Sequence, residues 1–406
     1  MDLHQVRKLV YICNARLPTE KAHGFQIAKM CEAFAENGLD VTLIHPHRRQ
    51  ENEALSKTNI FDYYGVHRVF RVRTLRNFDV VLLEGFFPTR LFAAVFFTHA
   101  MMWGLYAALV ARRERADFYY TRDSQIAYWL VRFGLPTVYE AHVVPERAQR
   151  WLIRRMAEGL TLWLVVVVTS FIKDGVVKIG VPPEKVAVLP DGVDLSLFQN
   201  LPGKEECRLR LGLPLDRPIV GYIGRFVTMD MEKGISELVQ AMAQLPSLSS
   251  TEPLLLCVGG PMELVPLYLE MARKVGLAAH RLRFVDRVPN LEVPYWIRAC
   301  DVVTIPWPWT EFSAYFTSPL KLFEYMTAGV PIVSSDLPSI REVLRHEQNG
   351  WLVEPGSPQA LAQGLLKLLE DRQLAFKLAR QARVDVGQYA WVQRAEAILK
   401  VCSRVA

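Results

Sequence analysis

The stretch IVGYIGRFVTMDMEKGISEL, residues 219–238, decides the fold of the second half of the chain. Ile219–Ile223 is an apolar run of strand length, stopped by Gly224-Arg225. A polar loop through Asp230 and Glu232 leads to Lys233-Gly234, and helical spacing begins around Ile235. Strand, loop and helix in that order open a βα unit. An Arg at the strand's carboxyl end and a Lys at the edge of the next helix can converge on one anion, the first as a fork and the second as a point charge. Standing apart, the same two residues would be solvated cations on a loop.

The alternation spreads outward from this unit. Downstream strands read at Leu254–Val258, Arg283–Val285, Val302–Pro306 and Pro331–Ser334. Upstream they read at Leu9–Cys13, Val41–His45, Val80–Leu83, Phe118–Thr121, Thr137–Glu140, Leu164–Thr169 and Val186–Leu189. Gly24–Asn37 is the best upstream helix, with Ile27, Cys31, Phe34 and Ala35 on one face and Gly38 as its stop. Apolar strands alternating with amphipathic helices mean parallel sheets, so the expected class is α/β: two Rossmann-like, doubly wound domains facing each other across a cleft. The pattern lapses over Leu197–Pro218, which reads as a linker. The expected domains are 1–198, 199–385, and a C-terminal helix, 386–406, crossing back to the first domain. Ligands in such sheets bind at the carboxyl ends of strands.

Composition narrows the class. Of 406 residues 51% are hydrophobic and 22% charged, which excludes a disordered chain, and the net charge of +6 selects no partner. Six cysteines without a C-x-x-C pair fit a reducing cytosol, and no secretory signal is read. Leu91–Ala111 is apolar, long enough to span a bilayer, and followed by Arg112, Arg113 and Arg115. A span would separate Val80–Leu83 from Phe118–Thr121, which read as neighbours in one sheet. The segment is therefore expected to pack within its own domain, with peripheral contact at the inner face of the plasma membrane as the alternative to a purely cytoplasmic location.

A second motif follows. In Thr317–Met326, TSPLKLFEYM, Ser318 reads as an N-cap and Pro319 as the first helical residue. The amides there, Leu320 included, form a cradle for a diphosphate at the positive end of the helix. Lys321 adds a cation in the first turn, and Glu324, one turn on, could accept the hydroxyls of a ribose. The plainer reading of Glu324 is a surface pair with Lys321. Gly329 ends the helix before a buried strand.

Together these residues resemble the retaining glycosyltransferases of family 4, in the GT-B superfamily, along almost the whole chain. The resemblance implies that Gly224, Arg225 and Lys233 hold the pyrophosphate of a nucleotide sugar. It matches Glu324, Ala328, Gly329 and Pro331 to the family's Glu, then Ala-Gly-x-Pro. Leu189–Asp194 looks like its interdomain signature, and Val285–Val288 with Val293-Pro294 like its nucleotide-base loop, bringing in Arg287 and Val288. The loop before Gly24 is similar to the family's phosphate-facing loop, though with one glycine only. Glu140-Ala141-His142 places His142 beside the transferred sugar, and His23 and Arg122 become acceptor contacts. One departure stands out: Phe316 occupies the position of the family's first glutamate, leaving Glu311 or the backbone of 315–317 as substitutes.

The resemblance implies a sugar moved from a nucleotide diphosphate donor to an acceptor hydroxyl of a glycan, lipid or small molecule, with retention and without a metal or resident cofactor. His142, Arg225 and Lys233 carry the chemistry in that reading. No P-loop and no Gly-x-Gly-x-x-Gly after the first strand occur, and nothing points to nucleic acid. Asp230-Met231-Glu232 reads as loop acids rather than metal ligands. An epimerase or phosphorylase of the same fold, and a non-catalytic nucleotide or glycan binder, are the alternatives.

Overall fold

Short runs of apolar and β-branched residues form fifteen strands among the described residues of the computed structural model, which are 7–50, 53–80, 88–145, 147–228, 230–248 and 251–405. Contacts divide the chain into two units: Met1–Asp191 with Trp391–Ala406, and Gly192–Ala390. The sequence pattern places these boundaries at 198 and 385, several residues from the divisions at 191 and 390.

The first unit holds a seven-stranded parallel sheet: β1 (Lys8–Ile12), β2 (Asp40–Pro46), β3 (Arg71–Leu75), β4 (Phe118–Thr121), β5 (Thr137–Ala141), β6 (Leu162–Val167) and β7 (Val186–Val188). Their order is β3-β2-β1-β4-β5-β6-β7. The second unit contains β8 (Ile219–Ile223), β9 (Val227–Thr228), β10 (Met231–Glu232), β11 (Leu254–Val258), β12 (Leu282–Val285), β13 (Val302–Ile305), β14 (Ile332–Ser335) and β15 (Trp351–Val353). Six of these form a parallel sheet in the order β12-β11-β8-β13-β14-β15, while β9 and β10 make a separate antiparallel hairpin. Central strands such as β8, β11 and β13 are buried along their whole length, as a parallel sheet covered on both faces requires. Strand order reverses between β1 and β4 and between β8 and β13. At such switch points the carboxyl ends splay and leave room for a ligand.

Several expectations change. Phe118–Thr121 pairs with β1 and β5; of Val80–Leu83, read as its neighbour, only Val80 lies within the described residues. β3 escaped the sequence reading because its R-V-R-T-L run is an exposed edge with no apolar pattern. The supposed linker contains a helix, Lys204–Leu211, pinned by buried Arg208, whose Nε donates to Ala299 O at 2.9 Å and whose Nη2 pairs with Asp301 at 2.5 Å. The C-terminal helix, Trp391–Val405, belongs to the first unit and packs on the helix Ala22–Glu36.

The apolar segment forms the helix Thr89–Arg112. By length and composition, Leu91–Arg112 could cross a membrane, and 33% of its most apolar window is buried. Trp103, Ala107, Ala108 and Ala111 point into the core of the first unit, and Gly104 admits the backbone of Gln125 so closely that an added Cβ would lie 3.0 Å from its oxygen. Leu91, Met102, Tyr106 and Leu109 stay exposed.

Candidate active site

In the second unit the site grows from the end of β8. Gly224 sits at φ +148°, and a Cβ there would fall 2.4 Å from Lys321 Nζ. Only glycine lets the ammonium lie against that turn. Arg225 follows, exposed, its guanidinium making no hydrogen bond or ion pair among the described residues. The expected loop is instead the β9–β10 hairpin, turned by Asp230 at φ +58°. Lys233 leaves it buried, with its backbone N–H donating to Phe226 O at 2.8 Å. Gly234, at φ +81°, starts the helix Ile235–Ala243, and a Cβ on it would stand 1.8 Å from Pro306 O. Glu232 accepts the Ser236 N–H at 2.8 Å, which makes it a helix cap.

Two ammonium groups gather around one indole. Lys233 Nζ lies 4.5 Å from the Trp307 ring centroid and Lys321 Nζ 5.7 Å from it. Lys321 also donates to the Tyr222 hydroxyl at 2.5 Å. Neither lysine has a carboxylate within hydrogen-bond range among the described residues. Burial, reinforced by the neighbouring Lys233, lowers the Lys321 ammonium to about 7. Burial also lowers Lys233 and raises the Glu324 carboxyl to about 7, against the pull of Lys321. Two cations stripped of water without an anionic partner are costly, and the faces of Trp307 and Tyr222 offset only part of that cost.

Lys321 and Glu324 ride on the helix Leu320–Ala328, which begins one residue later than expected. Pro319, not Ser318, is the residue before the first turn, and no side chain caps it. The helix is tied to β8 through Tyr325, whose hydroxyl accepts Ile223 N–H at 2.8 Å and donates to Ile223 O at 3.1 Å. Gly329 ends it at φ +65°. Glu324 is not a surface carboxylate paired with Lys321; it is half-buried and makes no side-chain hydrogen bond among the described residues. Arg287 and Val288 follow β12; Arg287 is exposed, while Val288 packs on the core. Between β12 and β8, β11 ends in Gly259-Gly260, both in the left-handed region; a Cβ on Gly259 would lie 2.6 Å from Gly224 O. That pair and Trp307 were missed, although a Gly-Gly after an apolar strand was a readable signal. Phe316 ends the short helix Glu311–Tyr315, and Glu311 lies exposed at its start.

In the first unit the expectation for Gly24 is corrected. It lies inside the helix Ala22–Glu36, its N–H donates to Lys21 O at 3.0 Å, and a Cβ would meet the Tyr64 hydroxyl at 2.1 Å. Its small size serves packing, and its amide is already used. His23 is pushed down to about 4 by burial, with Arg122, Lys21 and His142 adding to the effect, so it is neutral near pH 7. Arg122 Nη1 donates to Gln26 Oε1 at 2.6 Å, beside the end of β4.

The ends of β4 and β5 carry a polar network that sequence reasoning did not assemble. Glu140, with its side chain 0% exposed, accepts from Gln26 Nε2 at 2.8 Å, Arg394 Nη2 at 2.9 Å and His142 Nε2 at 2.7 Å. Its second oxygen accepts the Tyr120 hydroxyl. Burial would raise this carboxyl, but Arg394 and His142 outweigh burial and hold it well below the usual range. Asp191 lies close enough to Glu140 and His142 for the three to share a cation, yet the guanidinium of Arg394 already supplies positive charge there.

Two units, each a doubly wound parallel sheet with polar side chains collected at its strand ends, give the chain the GT-B fold. Residues 24–197 match the model of Glycosyltransferase Family 4, and residues 217–371 match Glycosyl transferases group 1. The chain belongs to the family 4, group 1 glycosyltransferases. It is 27% identical over 293 residues to the D-inositol 3-phosphate glycosyltransferase of Thermobispora bispora, covering 67% of this chain and 66% of that protein. Anabaena Alr3699/HepE, solved with UDP and glucose, superposes with a TM-score of 0.71 at 18% identity, over 98% of this chain and 100% of that one. WaaG, a glycosyltransferase involved in lipopolysaccharide biosynthesis, gives a TM-score of 0.63 at 16% identity, over 97% and 99% of the two chains.

Proposed function

We propose that this protein is a retaining, metal-independent glycosyltransferase that moves a sugar from a nucleoside diphosphate to an acceptor hydroxyl. The observation that carries the reading is the pair of carboxylate-free lysines, buried Lys233 and half-buried Lys321, gathered on Trp307 with Arg225 exposed beyond the same strand end. Such a site lacks an anion, and a pyrophosphate supplies one. The hard step is rupture of the bond between the anomeric carbon and the diphosphate oxygen. Arg225, Lys233, Lys321 and the amides opening the helix Leu320–Ala328 would stabilise the charge growing on that oxygen. Glu324, once ionised, accepts two ribose hydroxyls. The acceptor oxygen attacks the anomeric carbon from the face the diphosphate leaves, and its proton passes to the departing diphosphate. The acceptor is assigned to the first unit, near His142, His23 and Arg122. HepE, which shares the fold, was solved with UDP and glucose, and the curated relative is named for a phosphorylated polyol acceptor; both suit this reading.

The test is product formation from UDP- and GDP-sugars in EDTA, with the anomeric configuration read by proton NMR. Retained configuration at an unchanged rate supports the reading; inversion, or loss of activity on chelation, overturns it.

We also assign a cytoplasmic location with peripheral contact to an anionic membrane. The six cysteines are free and buried. The exposed apolar stripe of Leu91, Met102, Tyr106 and Leu109 runs into Arg112, Arg113 and Arg115, which line one open hollow with Leu109 and form no ion pair among the described residues. Sedimentation with phosphatidylglycerol vesicles but not with phosphatidylcholine vesicles is the expected result; equal binding to both, or to neither, refutes it.

A further inference from the structure

We propose that Glu140 is the positioning residue for His142: it fixes the imidazole with its proton on Nε2 and so presents the Nδ1 lone pair to a substrate hydroxyl. The inference rests on the assignment of His142 to the reacting sugar or acceptor, and it adds what sets that ring's chemistry.

The geometry leaves little freedom. Glu140 is fully buried at the carboxyl end of β5, and four donors converge on it, from two helices, a strand and the turn after β5: Gln26, Arg394, Tyr120 and His142. An ionised carboxylate has no proton to give, so every polar hydrogen in these contacts must come from its partners. The imidazole nitrogen 2.7 Å from Oε1 is Nε2, and that nitrogen therefore carries hydrogen. His142 is the one member of the four that is partly exposed with a ring nitrogen to spare: its side chain is 22% exposed, and Nδ1 makes no hydrogen bond among the described residues. In the neutral ring, Nδ1 is then an acceptor by elimination.

What keeps Glu140 ionised comes from the far end of the chain. Arg394, on the helix Trp391–Val405, is itself buried; besides Glu140 it donates to Pro190 O at 2.8 Å and Leu189 O at 3.1 Å. The last helix thus supplies the cation without which a buried carboxyl would protonate, become a donor and release the ring. The other charged or titratable groups that act on His142 or its partners among the described residues are Asp191, His23 and Arg122. His23 is neutral at working pH, and Asp191 lies near the ring and acts on it through charge, whereas Glu140 is the carboxylate hydrogen-bonded to it.

The tautomer is read directly by long-range nitrogen-15 correlation NMR on histidine-labelled protein at pH 8. In the wild type the His142 Nε2 signal should lie in the protonated range and Nδ1 in the unprotonated range. Glu140→Gln, whose amide can both donate and accept, should give averaged signals, and turnover should fall about tenfold or more with the donor KM unchanged. A wild-type tautomer pattern in Glu140→Gln overturns the proposal. If that variant does not fold, Glu140→Gln/Arg394→Met removes both charges together and is read in the same way. The NMR signature is independent of activity. Should His142→Gln turn over normally while the wild-type ring is locked as described, the role of His142 fails and the lock stands.

Discussion

Nucleoside diphosphate affinity should peak near neutrality and fall about 25-fold by pH 9. The reasoning starts with Lys321 and Glu324, both displaced to about 7 in the unliganded site. A pyrophosphate needs the lysine charged, and ribose hydroxyls need the glutamate ionised. With both groups titrating at 7, about a quarter of molecules hold the competent pair at pH 7 and about 1% at pH 9, a difference of about 2 kcal/mol. The sign follows from the lysine: burial has lowered it, a bound anion raises it again, so affinity is present below its free value and lost as pH rises past it. On the acid side the glutamate becomes limiting. The ligand's phosphate, whose last proton leaves near pH 6, also titrates there, so the alkaline limb is the diagnostic one. Isothermal titration calorimetry of UDP and GDP between pH 6 and 9, in two buffers of different ionisation enthalpy, should show weakening with proton uptake on the alkaline limb. Lys321→Arg, always charged, should flatten that limb. Affinity that stays level from pH 7 to 9 without proton uptake would mean that Lys321 does not meet the phosphates.

Lys233→Met should slow turnover by around a hundredfold while leaving the melting temperature unchanged or raised, because it removes a buried, unpaired charge; steady-state kinetics beside calorimetry decide it. Gly234→Ala must fit a methyl group 1.8 Å from Pro306 O at φ +81°, so chemical denaturation should show a loss of about 3 kcal/mol or more, together with weaker nucleotide binding. Arg394→Met strands the Glu140 carboxylate and should remove about 3–5 kcal/mol at pH 7. Because the folded carboxyl is held low, its stabilisation is present above its unfolded value near 4.3 and lost as pH falls through the folded one. The gap between wild type and variant should therefore narrow in acid melts, and a constant gap would exclude the pair as its source.

What could be read without coordinates was whatever is local. β8, Gly224-Arg225, Lys233-Gly234 and the Lys321–Glu324 turn each lie within one βα unit, where backbone geometry and spacing nearly dictate direction. The α/β class followed from the same alternation, because buried parallel strands must be apolar and must be joined by helices. Ser318 was placed one residue too deep in its helix, since the extended backbone at Pro319 delays the first turn. The sequence around Gly24 suggests a phosphate-facing residue, but the hydroxyl of Tyr64, forty residues away in sequence, fills the space above it. β3 gave no signal, because an exposed edge does not select apolar side chains. The Glu140 network was out of reach because its partners are remote in sequence: Gln26 and Arg394 stand 114 and 254 residues from the carboxylate they hold. Local order is set by steric rules between near neighbours. The state of a buried charge depends on which distant groups the folded chain brings around it, and only the tertiary structure decides that.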